Sequence, residues 1–252
     1  MAKRDLTFNP PVMNAAGTLG FFPDQHGPMD WSQFGVFITN PISLLPRTPA
    51  HGNRFTAYPG GFLLHTGYPN PGLSQALRHY ARVWSHSPLP VIVHVLAHAP
   101  DEVNRMIRRL ETTEGVAGVE VGIDSGAQPE LVAALAQAAT GELPVILRLP
   151  LERSLDLATL AIQAGAMAVS LAPPRGVYPA QAGEFVQGRL YGPSILPIAL
   201  KITQELVKLG IPTIGAGGVY TQAHCKAMLS AGALAVQLDG ALWRAAGYKI
   251  FH

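Results

Sequence analysis

The sequence predicts an α/β fold, a (β/α)8 TIM barrel, and three observations carry this prediction. Eight short apolar segments rich in β-branched residues alternate with helical patterns along the 252 residues. Near-continuous apolar strands are typical of a parallel sheet buried on both faces. Eight strand–helix units in about 250 residues is the usual size of this barrel. No linker or change of composition interrupts the series, so we expect one domain over residues 1–252.

The predicted strands and the clearest helices follow from hydrophobic periodicity. The strands are residues 11–15, 35–39, 90–95, 118–121, 144–149, 168–171, 212–215 and 235–238. Apolar residues at helical spacing predict the buried faces of two helices. These faces are Val103, Met106, Ile107 and Leu110 in one helix, and Ile198, Ile202, Leu206 and Leu209 in the other.

The composition excludes several classes of protein. Hydrophobic residues make up 48% of the chain and charged residues 13%, which is enough apolar material for a large core. Basic and acidic residues are interspersed at a net charge of +2, so a nucleic-acid partner is not expected. We expect no membrane span and no signal peptide, and the single cysteine, Cys225, permits no intrinsic disulfide or iron–sulfur cluster. A cytoplasmic protein is the expectation.

A glycine-rich strand end suggests an anion site. The segment 214–219 reads as a buried strand that breaks at Gly217 and Gly218 before a helix, and a second such strand, 231–238, follows. Glycines at this junction let backbone N–H groups approach an anion at a helix N-terminus. In barrels of this kind the loops after the last two strands commonly bind phosphate. Simple turn geometry explains the same glycines equally well.

The order of several motifs resembles one family. The opening segment 9–18 is similar to the start of dihydroorotate dehydrogenases, which are flavin enzymes built on this barrel. The resemblance continues, in matching order and spacing, through residues 37–43, 46–47, 52–53, 67–72 and 188–193 and the glycine-rich end. It implies FMN as cofactor and an oxidoreductase activity. It also implies a small-molecule substrate, and a homodimer because members of the family are often homodimers.

The resemblance places the FMN on particular residues. It puts the phosphate at Gly217, Gly218 and the segment after Leu238, and the ring beside the small residues that end the first strand. A planar ring approaches a backbone most closely where Cβ atoms are few. A tight strand exit and ordinary loop turns are the alternatives for these residues. The implied cofactor-binding set is Ala15, Ala16, Gly17, Asn40, Arg148, Gly188, Gly217, Gly218 and Gly240.

The catalytic loop departs from the family pattern. Ser125 stands where the family has the cysteine or serine that removes a proton from dihydroorotate, but Gly122 and Ala127 replace the asparagines on either side. Serine is a poor base without a proton-accepting neighbour, and on an extended backbone Asp124 would point the other way, so an ordinary polar loop serine is the alternative for Ser125. Each lost donor to a buried polar group costs roughly 1–3 kcal/mol. We therefore expect the chain to act on a molecule other than dihydroorotate.

Two charged residues have alternative interpretations. Arg148 aligns with the family lysine that supports reduced flavin, and it could also form an ion pair with Glu120 inside the barrel. Asp239 precedes Gly240 at the implied phosphate loop, where a carboxylate would repel a phosphate dianion. Asp239 could instead turn outward or pair with Arg244.

Four histidines can reach the mouth of the predicted barrel, although structural or surface roles are the default for each. They are His51, His65, His94 and His98, and none has the spacing of a metal site. His65 and His94 would occupy space left by the missing asparagines. The candidate catalytic residues are therefore Ser125, Arg148, His65 and His94, with no metal.

Three functions from different classes follow. The first is an FMN-dependent oxidoreductase acting on a less polar small molecule, with a separate electron-transfer partner because one cysteine cannot hold an iron–sulfur relay. The second is a degenerate relative that keeps the barrel as a binding or assembly subunit. The third is a barrel lyase or isomerase that holds a phosphorylated substrate on the glycine loops.

Overall fold

The fold is built from thirteen strands and six α-helices within residues 6–52, 54–179 and 184–243, which the computed structural model describes. The strands are β1 (Val12–Asn14), β2 (Phe37–Ile38), β3 (Ile42–Ser43), β4 (Phe55–Tyr58), β5 (Gly61–Leu64), β6 (Val91–Leu96), β7 (Val116–Gly122), β8 (Val145–Pro150), β9 (Ala168–Ala172), β10 (Arg175–Pro179), β11 (Phe185–Tyr191), β12 (Thr213–Ala216) and β13 (Ala235–Leu238). The helices are α1 (Leu73–Ser85), α2 (Pro100–Glu111), α3 (Pro129–Ala139), α4 (Ser154–Gln163), α5 (Leu196–Lys208) and α6 (Gln222–Ser230).

Eight parallel strands form the barrel. Their order is β1-β13-β12-β9-β8-β7-β6-β2, and β3 adds a short pairing with β6. A parallel bridge between Met13 and Val36 joins the first strand to the chain just before β2, and so closes the ring. The eight predicted strands are these eight, and the (β/α)8 barrel is confirmed.

The core has two layers, as expected for a sheet covered on both faces. Nine buried apolar residues fill the inside of the barrel, among them Met13, Ile38, Ile92, Ile146 and Ile214. A larger cluster lies between the outside of the barrel and the helices. Because buried apolar side chains fill it, the barrel interior is a packed core and not a pore.

The helices confirm one predicted face and correct another. All four predicted residues of α2 are buried. On α5 the buried residues are Ala199, Thr203 and Leu206, whereas Ile198 is 57% exposed and Leu209 60% exposed. Small side chains occupy the α5 face that packs closest to the sheet. In the part of the chain that the structure describes, every helix is too short or too polar to span a bilayer.

A second sheet covers part of the barrel mouth. Its four antiparallel strands have the order β10-β11-β5-β4, with Tyr191 paired to Phe62 across the β11–β5 boundary. The sheet, here called the cap sheet, joins the segment between β3 and α1 to the hairpin after β9. It lies at the carboxyl ends of the barrel strands, the end where barrel enzymes carry their sites.

Candidate functional site

A buried carboxylate organises the inside of the barrel mouth. Glu120 on β7 has no exposed surface, and its Oε2 lies 2.6 Å from Nδ1 of His94 on β6. Its Oε1 accepts hydrogen bonds from Ser170 on β9 at 2.6 Å and from Gln237 on β13 at 2.7 Å. Glu120 therefore ties four strands of the ring together.

Glu120 is ionised and His94 is neutral in this network. Burial alone would raise the pKa of Glu120, but its hydrogen bond to His94 and the positive charge of Arg148 lower the pKa to about 2. Burial lowers the pKa of His94, and this outweighs the opposing effect of Glu120. An ionised carboxylate only accepts hydrogen bonds, so Nδ1 of His94 carries the proton. The other ring nitrogen, Nε2, is then an acceptor.

The imidazole of His94 fills the space next to Gly122. A Cβ atom on Gly122 would stand 2.8 Å from Nε2 of His94 and 3.2 Å from its Cε1. Real Cβ atoms essentially never come this close to another atom, so a side chain at 122 requires His94 to move. Gly122, which has no side chain, therefore leaves room for the His94 ring. This is expected for a histidine that occupies the space of a missing asparagine.

We expect Gly122→Ala to destabilise the fold by about 1–3 kcal/mol, the usual range for overpacking a core. The imidazole has little room to shift because Glu120 holds it at 2.6 Å. Urea unfolding of the single variant and of the same substitution in a His94→Ala background measures the coupling. A cost that stays the same in both backgrounds would show that His94 is not the obstacle.

Arg148 does not form the ion pair with Glu120 that was one sequence interpretation, because His94, Ser170 and Gln237 take both carboxylate oxygens. The Arg148 guanidinium instead donates from Nη1 to the carbonyl oxygen of Ala16 at 3.2 Å. Its Nε is buried and has no hydrogen-bond partner among the described residues. Arg148 therefore leaves one buried donor unsatisfied among the described residues.

Arg148 and His94 lie in a small chamber beneath a wider cleft. The chamber has a free volume of about 10 Å³, room for no more than one water molecule, and the cleft about 100 Å³. Both are lined by Tyr68, Leu96, Asp124 and Arg189, so the chamber adjoins the cleft at these residues. Arg47 and Arg175 add two more guanidinium groups to the cleft.

Tyr68 holds Arg189 at the boundary between chamber and cleft. The Arg189 guanidinium carbon lies 5.2 Å from the centre of the Tyr68 ring, a cation–π contact. Tyr68 has a φ of +53°, a left-handed conformation that is uncommon for a bulky residue. Hydrogen bonds from its N–H to Thr66 and from Asn70 to its carbonyl maintain that conformation.

Asp124, rather than Ser125, faces the cleft. Asp124 lines both chamber and cleft, and its Oδ2 lies 2.8 Å from Nδ1 of His98. Ser125 lines neither, and its carbonyl accepts a hydrogen bond from Arg153. The expected alternation of side chains does not apply here, because β7 ends at Gly122 and the chain turns.

The remaining histidines separate. His65 and His98 line the cleft, whereas His94 lies below in the chamber. His51 is exposed and does not line either space. Three of the four candidate histidines therefore lie in this region. The pairing of His98 with Asp124 was not predicted from the sequence.

The residues implied around the cofactor ring lie at the end of β1 and in the cap sheet. Ala15 and Ala16 are buried, and Gly17 has a φ of +88°. Asn40 exchanges hydrogen bonds with Gly20 through its side chain and backbone. Gly188 lies against Leu63 and Leu64 of β5, where a Cβ would stand 2.6 Å from a Leu63 methyl carbon. Close packing of the cap sheet thus explains Gly188.

The loop after β12 combines packing glycines with free amides. Gly217 and Gly218 have φ values of +105° and +72°, which favour glycine. A Cβ on Gly218 would stand 2.3 Å from the backbone nitrogen of Leu196, so this glycine lets the start of α5 approach the loop. Among the described residues, neither glycine N–H donates a hydrogen bond.

The loop after β13 contains a buried carboxylate. Asp239 is only 3% exposed, and its Oδ1 accepts a hydrogen bond from the N–H of Gly240 at 2.5 Å. Asp239 therefore does not turn outward. Its alternative partner Arg244 lies outside the described residues. The backbone donor that a phosphate would use at Gly240 is already bound to a carboxylate.

Aromatic side chains fill the space above Gly240. The rings of Phe62, Tyr191 and Trp243 lie within 5.2–5.8 Å of one another. Nε1 of Trp243 donates to the carbonyl of Thr18, which links this cluster to the end of β1. A Cβ on Gly240 would stand 2.5 Å from the Tyr220 hydroxyl and 3.2 Å from the Phe62 ring.

Comparison with known proteins agrees with the barrel and its mouth. The sequence profile described as dihydroorotate dehydrogenase matches residues 3–171, more than half of the chain. The chain belongs to the dihydroorotate dehydrogenase family. The family assignment made from the opening motifs and their spacing is thereby confirmed.

Individual relatives cover nearly the whole chain. It is similar to the catalytic subunit of dihydroorotate dehydrogenase B (NAD(+)) from Desulforudis audaxviator, with 29% identity over 94% of this chain and 84% of that protein. The protein of the same name from Pelobacter propionicus is 30% identical over 92% of this chain and 83% of its own length. The crystal structure of the Eimeria tenella dihydroorotate dehydrogenase with ferulenol superposes with a TM-score of 0.74 at 18% identity, covering 94% of this chain and 78% of that one.

The phosphate end of the FMN site implied by the family resemblance does not fit that cofactor in this chain. A phosphate dianion there would face the Asp239 carboxylate, whose 2.5 Å hydrogen bond occupies the Gly240 amide. Phe62 and the Tyr220 hydroxyl pack directly on Gly240. The family resemblance places the phosphate between two loops, and only the loop of Gly217 and Gly218 has N–H groups that donate to no described residue.

Proposed function

We propose that this member of the dihydroorotate dehydrogenase family binds a small organic anion, of the carboxylate class, in the cleft at the barrel mouth. The observation that carries the proposal is the set of three guanidinium groups, those of Arg47, Arg175 and Arg189, that line a cleft with about 100 Å³ of free volume. Guanidinium groups bind carboxylates through paired, charge-assisted hydrogen bonds.

The charges around the cleft favour an anion. Three arginines line the cleft, and among the described residues that line it Asp124 is the one carboxylate. Asp124 is directed to His98 at 2.8 Å, and Glu120 is enclosed by its own donors. In a partly enclosed site these uncompensated cations attract a carboxylate more strongly than they would in open water.

The proposal includes the view that the chain does not hold FMN at the family position. It agrees with the second of the three functions in that the flavin chemistry of the family is lost and the barrel is kept. The same filled loop disfavours a phosphorylated substrate, which the third function requires. Loss of the cofactor would also explain why the asparagine-rich dihydroorotate site is absent.

A flavin-dependent oxidoreductase acting on a small molecule is the second candidate function. The observation in its favour is that the N–H groups of Gly217 and Gly218 donate to no acceptor among the described residues. This function requires Asp239 and the aromatic rings above Gly240 to move. It would also require a separate electron-transfer partner. A homodimer remains a proposal under either function.

Anion binding is tested by isothermal titration calorimetry with pyruvate, and with pyruvamide as the uncharged matched ligand. We expect pyruvate to bind and pyruvamide to bind at least tenfold more weakly. Arg189→Gln should weaken pyruvate binding about 10- to 100-fold, since a charge-assisted hydrogen bond contributes about 1.5–3 kcal/mol. Arg105→Gln, on the exposed face of α2, is the matched control and should leave the affinity unchanged. Equal affinities for the two ligands would contradict the proposal.

The visible spectrum separates the two candidate functions. We expect the purified protein to lack a flavin absorption band and to acquire none after incubation with FMN and gel filtration. A retained stoichiometric flavin, bleached by a reduced nicotinamide, would establish the second candidate and overturn the first.

A further inference from the structure

We propose that His98, oriented by Asp124, accepts a proton from the anion bound at the barrel mouth, so that the chain is a non-redox proton-transfer enzyme for small 2-oxo carboxylates. This inference rests on the proposed anion-binding function and goes beyond it. It concerns the cleft at the outer end of the chamber, and it involves neither the buried Glu120 network nor a cofactor.

The geometry of His98 and Asp124 is that of an oriented imidazole. Nδ1 of His98 lies 2.8 Å from Oδ2 of Asp124, so Nδ1 carries the proton that the carboxylate accepts. The backbone N–H of His98 donates to Oε2 of Glu102 at 3.3 Å, which anchors the loop that carries the ring. Nε2 is then the free acceptor. A carboxylate that fixes the tautomer in this way prepares a histidine to act as a general base.

The pair shares the cleft with an arginine that can hold the anion. Asp124 and Arg189 line both the chamber and the cleft, and His98 lines the cleft with them. A carboxylate held by Arg189 would therefore occupy the same cleft as His98. The side chains of His98 and Asp124 are 55% and 46% exposed, so protons can pass from the ring to solvent.

The substrate class follows from what an imidazole can deprotonate. A carbon next to a carboxylate alone is too weakly acidic, whereas a carbon next to a ketone is acidic enough for enolisation. In a 2-oxo acid the C3–H bond breaks, its electron pair becomes the C2–C3 double bond of an enolate, and the proton goes to Nε2 of His98. The negative charge develops on the C2 oxygen, close to the guanidinium groups that hold the carboxylate. Return of the proton to C3 restores the substrate without an oxidant.

The proposal is tested by hydrogen–deuterium exchange at C3 of pyruvate in D2O, followed by proton NMR. We expect the wild-type protein to accelerate exchange over the buffer rate. His98→Gln should slow the protein-dependent exchange on the order of 100-fold, the usual contribution of a general base. Pyruvate affinity, measured by calorimetry, should stay within about threefold because Arg189 is intact. His26→Gln, at an exposed loop position away from the cleft, is the matched control and should exchange like the wild type.

Asp124 is a positioning residue, and its role has a separate readout. Asp124→Asn keeps a hydrogen-bond acceptor but removes the charge that favours the Nδ1–H tautomer. We expect slower exchange together with a shift of the His98 tautomer ratio in ¹⁵N NMR, which a merely structural role would leave unchanged.

The outcomes distinguish this inference from the proposed function. If pyruvate binds but exchange equals the buffer rate, or persists undiminished in His98→Gln, His98 is not the base and this inference is overturned alone. If pyruvate fails to bind and pyruvamide behaves identically, the anion site itself is wrong. Accelerated exchange that disappears with His98→Gln at unchanged affinity supports both.

Discussion

Replacing Glu120 by alanine should cost about 3–5 kcal/mol of the free energy of unfolding at pH 7. The carboxylate is fully buried and accepts hydrogen bonds from His94, Ser170 and Gln237 at 2.6–2.7 Å. Removing one partner from a buried ionic network leaves the others unsatisfied, which is more costly than deleting apolar atoms. Urea unfolding monitored by circular dichroism measures the loss. Four barrel strands meet at this group, so we expect the variant to unfold cooperatively at lower urea and not to lose a single loop.

Glu120→Gln separates charge from volume. The amide keeps the size of the side chain but replaces one acceptor oxygen by a donor, which then faces His94 or the Ser170–Gln237 pair. We expect a loss of about 1–3 kcal/mol. Glu205→Gln is the matched surface control, because Glu205 pairs with Lys208 at 2.9 Å on the exposed side of α5. It should change stability by less than about 1 kcal/mol. Equal effects at positions 120 and 205 would mean that the buried network contributes nothing special.

The barrel could be predicted because its signal is local. Each strand is a short apolar run because both faces of the sheet are buried. Residues such as Ile92 and Ile146 face the inside of the barrel. On α5 the same approach was right for Leu206 but wrong for Ile198 and Leu209, because small side chains can form a buried helix face as well as large ones. Ala199 and Thr203 face the sheet, and Ile198 is left exposed.

The candidate site was only partly predictable. Whether Glu120 pairs with His94 or with Arg148 depends on the register of three neighbouring strands, which no single segment encodes. Ser125 was a candidate base with an ordinary loop serine as the alternative, and the position of Asp124 in the cleft was not predictable because alternation stops where β7 ends at Gly122. The cap sheet was missed because its strands are half-exposed and contain glycines such as Gly188, so they lack a continuous apolar pattern.

Some sequence expectations nevertheless anticipated particular contacts. His94 was expected to occupy the space of a missing asparagine, and its ring lies against Gly122. Asp239 was identified as an obstacle to phosphate, and its carboxylate holds the Gly240 amide. Both expectations came from comparing residue size and charge at aligned positions, which needs no knowledge of side-chain conformation.

Replacing Asp239 by asparagine should stabilise the protein at neutral pH and have no such benefit in acid. Burial raises the pKa of Asp239 to about 6 from 3.8, although the Gly240 N–H and the charge of Arg148 oppose the shift. A carboxyl whose pKa is raised in the folded state binds its proton more tightly there than in the unfolded chain. The free energy of unfolding therefore falls as pH rises from about 4 to about 6. A shift of about two units corresponds to about 3 kcal/mol.

Unfolding of Asp239→Asn and the wild type should be compared at pH 3.5, 5, 6, 7 and 8. Relative to their difference at pH 3.5, the variant should gain up to about 3 kcal/mol by pH 7 and no more above it. The amide oxygen of asparagine can still accept from the Gly240 N–H, so the hydrogen bond itself is conserved. Asp101→Asn, at an exposed position in the first turn of α2, is the matched control and should give no comparable gain.

The same variant tests why the loop after β13 rejects phosphate. If the charge of Asp239 were the whole obstacle, Asp239→Asn would take up FMN. We expect no uptake, because the Phe62 ring and the Tyr220 hydroxyl still pack on Gly240 and Trp243 remains tied to Thr18. The quenching of FMN fluorescence as the protein is added measures uptake. If the two proteins differ in free energy of unfolding by the same amount at every pH, Asp239 is not buried as a charged group. Its carboxylate would then not be the obstacle to phosphate.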